Sequence, residues 1–239
     1  MHYWRIALAS AALALSGAAC AQSPGLPERL ERLAQAGNAE ASYHLGMLYN
    51  NGLGVPQDPR RAFALFRAAA EGGDPLGAYK LGCYYAGQFG SAAVTPDEAQ
   101  ALRWKLVAAR AGYSLAQVDV AIHYARRDLW AEAFPWFTAA ARQGDAQSLY
   151  NLSVLYTEGR GTGRSRPHAW ATFRLSQLRS RGRLTANAEQ ALADMWNAMN
   201  AAERTQAQRI EADFVTGPTE LTRRAMSGLE RAEQVAAAR

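Results

Sequence analysis

Cysteine is almost absent from this chain: 239 residues contain two, Cys20 and Cys83. With Cys20 inside an N-terminal leader described below, no internal disulfide is expected, and stability must come from packing. Histidine occurs at His2, His44, His123 and His168 only, with no HExxH pair and no cysteine partner, so no metal centre is expected. No G-x-S-x-G is present, and the glycine clusters at 52–54 and 159–163 lack the GK[ST] ending of a phosphate loop. Those glycines end helices instead. No apolar run reaches the roughly 18 residues that a spanning helix requires, so no transmembrane helix is expected. With these classes removed, the chain is read as non-enzymatic, with no catalytic residue and no cofactor.

Lysine is scarce as well, confined to Lys80 and Lys105 among 26 basic residues. The formal net charge of +5 is too small to call for nucleic acid. One stretch departs from the mixed charge pattern: residues 160–183 carry seven arginines and no acid. It reads either as a solvated loop and helix or, through Arg160, Arg164 and Arg166, as a patch for an anionic partner. At the N-terminus, one positive charge precedes a short stretch of small apolar residues and then Ala19-Cys20-Ala21. This predicts a secretory signal peptide over 1–21, cut before Gln22, and a periplasmic or secreted protein. A lipid anchor at Cys20, which would make a membrane-anchored lipoprotein, is the alternative; Gly17 fits that signal poorly.

What the chain does have is a recurring block. A large aliphatic residue is followed by a small one, then by Tyr four positions after the first, then by an Ala-rich stretch ending in Gly. Leu45, Leu81, Val120 and Leu152 mark the copies, 36, 39 and 32 residues apart. Such a period means stacked units, none able to bury its apolar face alone. In the first copy Ala41, Leu45, Leu48 and Tyr49 recur at helical spacing; Gly52 and Gly54 break the helix, and Asp58-Pro59 caps a second one. Each unit is therefore a helix, a loop and a helix. Gly46, Gly82, Ala121 and Ser153 share the register after the aliphatic residue, where a small side chain lets two helix backbones approach. Phe66, Trp104, Trp136-Phe137 and Phe173 fill the opposing register.

The first copy, LGMLYNNGLGVPQDPRRAFALFRAAAEGG from Leu45 to Gly73, closely resembles the Sel-one-like repeat, a relative of the tetratricopeptide repeat with a longer glycine-bearing loop. The second copy carries an insertion, the third lacks the loop (ARRDLWAEAF), and the fourth has GRGTGRSRPHA. The resemblance implies an all-α, right-handed α-solenoid of helix-loop-helix repeats. Repeats are expected at 39–74, 75–113, 114–145 and 146–184. A capping helix should precede them within 22–38, two should follow within 185–216, and Asn200 to Glu203 forms a capping box. Beyond Gly217-Pro218, residues 217–239 read as a solvated terminal helical arm.

The resemblance also implies a protein-interaction scaffold or adaptor in the bacterial cell envelope, with a protein or peptide partner on a concave face lined by the first helices. Positions pointing away from the core, at offsets 2, 3 and 6 from Ala41, bring together Tyr43, Tyr79, Val118 and Tyr150; His44, Lys80, Asp119 and Asn151; and Met47, Cys83, Ile122 and Val154. That row of aromatic anchors edged with polar groups is the candidate partner-binding surface. The same tyrosines could instead pack against the neighbouring unit. Some cysteine-rich secreted relatives are associated with β-lactam hydrolysis, so a cell-wall or β-lactam hydrolase is the alternative function. Against it, no Ser is followed three residues later by Lys, and KTG is missing.

Overall fold

A computed structural model describes residues 24–90 and 93–238. The expected signal peptide and Cys20 lie outside the described residues. Among those described, twelve helices and no strand are found: α1 (Leu26–Gln35), α2 (Ala39–Asn51), α3 (Pro59–Glu71), α4 (Pro75–Tyr85), α5 (Glu98–Arg110), α6 (Ser114–Ala125), α7 (Trp130–Arg142), α8 (Ala146–Glu158), α9 (Arg166–Arg181), α10 (Ala186–Asn197), α11 (Ala201–Asp213) and α12 (Glu220–Ala237). The pairs α2/α3, α4/α5, α6/α7 and α8/α9 are the four units, each packed on the next. This is the all-α solenoid expected. The helix starts follow from local chemistry. Asn38, Asp58, Asp74, Asp97, Asp145 and Ser165 each accept a backbone N–H of the first turn through the side chain, worth about 1 kcal/mol apiece.

One hydrogen bond recurs across loops of different length. The N–H groups of Asp58, Asp97 and Ser165, the caps of the second helices, donate to the carbonyls of Tyr49, Tyr85 and Tyr156. The third unit, which has no glycine loop, keeps the same bond from its cap Leu129 to Tyr124, and Asp128 takes a left-handed φ of 57° to make the short turn. Loop length therefore varies without moving the two helices apart. The small-residue register sits where they touch: a Cβ on Gly46 would lie 2.8 Å from the ring of Phe66, and one on Gly82 would lie 3.0 Å from the Ala101 carbonyl. Phe66 and Phe137 fill the opposing register and are fully enclosed.

Both ends of the array are covered by further helices. Leu30 of α1 packs on Ala41, Leu45 and Leu48. At the other end Trp170 meets Trp196 at 5.0 Å and donates its indole N–H to the Leu192 carbonyl, and Asn200 and Glu203 form the capping box of α11.

The last helix departs from expectation. Residues after Gly217 do not form a solvated arm; α12 turns back along the array and docks on the N-terminal turns of the first helices. Thr219 Oγ1 donates to the Gly112 carbonyl at 2.9 Å, and Thr222 Oγ1 accepts from the Ser114 N–H at 3.1 Å. Further on, Arg224 pairs with Asp74, the cap of α4; Arg231 grips Glu40 of α2 through two nitrogens, at 2.8 and 3.1 Å; and Glu233 pairs with Arg29 of α1. Ala232 and Val235 join the apolar cluster of α1 and α2. The charges that read as solvent-facing are the ones that hold the helix down, and their partners are distant in sequence.

Two outcomes follow from this packing. Gly46→Val should destabilise by about 1–3 kcal/mol, because Phe66 has no room to move aside. Urea unfolding would measure this against Ala64→Val on the exposed side of α3, where a loss of comparable size would refute the close approach. The second concerns acid. His44, then the guanidiniums of Arg231 and Arg224, hold the Glu40 carboxyl at about 2 against a usual 4.5, in spite of its burial. Its contribution to docking α12 is complete above about pH 4.5 and is lost as pH falls through that window towards 2. Hydrogen exchange in α12 should accelerate over that range in the native chain, and the acceleration should be blunted in Glu40→Gln.

Candidate partner-binding cleft

The central candidates converge where the second unit meets the third. From α4 come Tyr79, Lys80 and Cys83; from α6 come Asp119 and Ile122; and Lys105 on α5 reaches between them to pair with Asp119 at 2.6 Å. Tyr79 sets its ring edge-on to Tyr113 at 4.9 Å, so this tyrosine packs on the turn leading into the next unit. Burial pushes its phenol far above the ordinary range. Burial likewise pushes the Cys83 thiol up, although Lys105 and Lys80 pull the other way. A protonated, enclosed thiol is a packing group rather than a nucleophile. The Lys80 ammonium lies 5.9 Å from the centre of the Phe89 ring, and burial lowers its pKa.

Beside this cluster opens a cleft of about 580 Å³ between the α4–α5 loop, α5 and the outer end of α6. Tyr85, Pro96, Leu102 and Ile122 supply apolar walls, while Lys105, Asp119, His123 and Arg126 supply polar ones. The cleft exists because the second unit has an inserted loop and the third has a four-residue turn, 126–129, in place of one. On its rim Arg127 pairs with Glu98 at 2.6 Å and donates to the His123 carbonyl at 3.1 Å. Burial, then the adjacent Arg127, pushes the His123 imidazole down, which favours its neutral form. No group of three His, Cys, Asp or Glu side chains that could hold a metal ion is found among the described residues. The arrangement suits recognition of a mixed apolar and charged surface.

The other candidates are placed elsewhere. Tyr43 and Met47 do not point away from the core, as the spacing suggested they would: they pack in the apolar cluster of Phe66, Leu76 and Leu81, with the Tyr43 ring 6.2 Å from that of Phe66, and they and His44, which borders α12, are each less than a tenth exposed. Tyr150 stays open at 44% exposure, 6.3 Å from Phe173 of its own unit, and Asn151 beside it accepts from Gln147. Val118 and Val154 are half-buried. In the arginine-rich stretch, acids from neighbouring segments offset the charge. Arg160 pairs with Glu158 and lies over the Trp130 ring, Arg166 stands 3.8 Å from Glu203, and Arg174 pairs with Glu211. Arg164 donates to the Glu158 carbonyl and borders a separate cleft between α8, α9 and α11.

Sequence reasoning missed Lys105, Glu98, His123 and the Arg126-Arg127 pair because they lie on a second helix or beyond the last repeat offset of a first one. A signal for the first was available: the two lysines of the chain both fall in the second unit.

Four segments of the chain, 39–74, 75–113, 131–145 and 146–171, match the Sel1 repeat. Among solved structures, a Sel1 repeat protein from Oxalobacter formigenes superimposes with a TM-score of 0.60 at 20% identity, covering 87% of this chain and 95% of that one. A protective antigen of uropathogenic Escherichia coli, described as displaying an SLR fold, gives a TM-score of 0.56 at 19% identity over 88% of this chain. The present chain spans about half the length of that antigen. At such identities the likeness speaks for the fold. The units, their small-residue register and the four matched segments agree: the chain belongs to the Sel1-repeat family, whose members are generally protein-interaction scaffolds.

Proposed function

We propose that this protein is a non-catalytic scaffold of the bacterial cell envelope, which captures a protein or peptide partner in the cleft between its second and third units. The observation that carries this reading is the cleft itself. It is a break in an otherwise regular array, with an apolar wall around Leu102 and Ile122 and a charged rim at Lys105, Arg126 and Arg127. An apolar anchor from a partner would be desolvated against the wall, while the rim would select its flanking charges. The enclosed, protonated Cys83 and the lack of an activated nucleophile around it favour binding over hydrolysis. Tyr79, Lys80 and Cys83 act beneath the cleft as its support, and Asp119 and Ile122 face the partner.

The envelope location rests on the N-terminal charge, the short apolar stretch and Ala19-Cys20-Ala21. The mature protein isolated from a periplasmic extract should begin at Gln22 by mass spectrometry. A diacylglyceryl group on Cys20 would make it an anchored lipoprotein, and retention of Met1 in a cytoplasmic fraction would refute export.

Binding is tested with the partner that co-purifies from that extract. Ile122→Asp should weaken capture about 30-fold, the loss of a central anchor worth about 2 kcal/mol, and Arg126→Glu should slow association in a salt-dependent way. Arg164→Glu, in the fourth-unit loop, should leave capture unchanged. The reverse ordering would move the site to the arginine-rich segment.

A further inference from the structure

At the far end of the array α10 and α11 pack on α9, and one face of α8 is left open. Along that face Gln147, Tyr150, Thr157 and Glu158 are exposed at helical spacing. Tyrosines of the same register are enclosed or packed on the next unit: Tyr43 is 7% exposed and Tyr79 meets Tyr113, whereas Tyr150 is 44% exposed. Three recesses run beside α8, of about 380, 280 and 570 Å³. The first two share Tyr150, and the last two share Thr157 and Met195, so together they make one groove. Its first part is edged by the side-chain amides of Gln147 and Gln177, its middle is apolar around Tyr150, Val154 and Phe173, and its end lies between Arg164 and Arg166.

Charge at that end is not matched within the chain. Among the described residues no carboxylate lies within hydrogen-bonding distance of either guanidinium. Arg164 donates to the Glu158 carbonyl at 3.2 Å, but the Glu158 carboxylate is taken by Arg160 at 2.9 Å. Arg166, 66% exposed, stands 3.8 Å from Glu203, whose carboxylate already accepts the Asn200 N–H.

We infer that this groove is a second interaction surface, specific for an extended acidic segment of a partner protein. A large apolar side chain of that segment seats against Tyr150 and Phe173, and a pair of Asp or Glu residues meets Arg164 and Arg166, whose planar guanidiniums suit carboxylates. The spacing follows from α8 itself. From Tyr150 to Thr157 the helix rises about 10 Å, which an extended chain covers in about three residues. The amides of Gln147 and Gln177 can bond the open backbone of such a chain, whereas a helix has already satisfied its own. The inference stands on the fourth unit and does not depend on the cleft between units two and three.

The test uses the full chain and labelled synthetic heptapeptides, with binding read by fluorescence anisotropy. One peptide has Phe third and Asp sixth and seventh, with Ser elsewhere; a second carries the same residues in reverse order. For the better bound of the two, Asn in place of both Asp residues should weaken binding at least tenfold. In the chain, Arg164→Glu with Arg166→Glu should weaken it at least 30-fold, and this variant should bind the peptide that carries Lys in place of Asp. Tyr150→Ala should weaken binding at least tenfold.

Failure of both peptides to bind at about 1 mM, the range of weak recognition, would overturn the inference. Equal binding of the Asn peptide, or unchanged binding to Tyr150→Ala, would do the same. So would tighter binding of a helical peptide whose Asp pair lies about seven positions from its Phe, the spacing a helix would need. Dimerisation of the chain through Tyr150 in place of peptide binding would make this face a self-contact and overturn it as well. Should the double reversal lose its helical circular dichroism, Arg164→Gln with Arg166→Gln must show at least the tenfold loss. Failure of that pair to fold would make the two arginines structural and overturn the inference too. Ile122→Asp should bind the peptides normally, and Arg164→Glu should still capture the partner of the cleft, so the two surfaces succeed or fail separately.

Discussion

Close approach between the two helices of a unit is the constraint on which the rest of this structure depends. A small residue at Gly46, Gly82, Ala121 or Ser153 lets the second helix lie directly on the first, and the ring or aliphatic side chains opposite close around the contact. Once that distance is fixed, the loop joining the helices has only to return the chain to the same point. The bond from the second-helix cap to the carbonyl of the repeat tyrosine records that return in all four units, with loops of unlike length. Sequence variation is thereby pushed into the loops and onto the exposed faces. The cleft between units two and three is a consequence: one loop is expanded, the next is reduced to a turn, and the helices hold their places around the space left over.

The parts of the fold legible in the sequence were those written in local chemistry. Caps at Asp58 and Asn200, glycines after α2 and α8, and helical spacing of Leu45, Leu48 and Tyr49 each act over one or two turns, so a short window contains the whole signal. The docking of α12 is the opposite case. Arg224 and Asp74 are 150 positions apart, and Arg231 and Glu40 are 191 apart. An arginine bound for such a partner looks the same in sequence as one bound for water. A terminal helix was legible within 217–239; its environment was misread. The offsets from Ala41 turned Tyr43 and Met47 outward on one helix alone; the neighbouring helices enclose them in the core with Phe66 and Leu76, which a single-helix projection does not contain.

Reactive groups are placed so that burial quiets them. The Cys83 thiol and the Tyr79 phenol are held protonated, and Lys80 sits by the face of an aromatic ring rather than in a carboxylate pair. Each is costly to charge where it lies, so each serves packing and orientation. Lys105 and Asp119 pair at 2.6 Å and join two units across their interface. Removing one partner leaves the other buried and uncompensated, which makes this pair part of the framework that holds the cleft open.

The face formed by the first helices is thus divided between two regimes. At their N-terminal turns it is closed by a helix that buries little apolar surface and relies on charge. At the outer ends of α4 and α6 it is open. Ion pairs with water-exposed members are worth about 1 kcal/mol or less each, so among its ion pairs α12 draws most from buried Asp74 and half-buried Glu40. A segment held by a few polar contacts opens at a free energy below that of the core it covers. The repeats, whose core side chains such as Phe66, Tyr84 and Leu152 are fully enclosed, do not share that weakness. The contacts that fix the units and those that hold α12 differ mainly in kind, enclosed apolar packing in the first and ion pairs in the second, and they meet at Asp74, which caps α4 and pairs with Arg224.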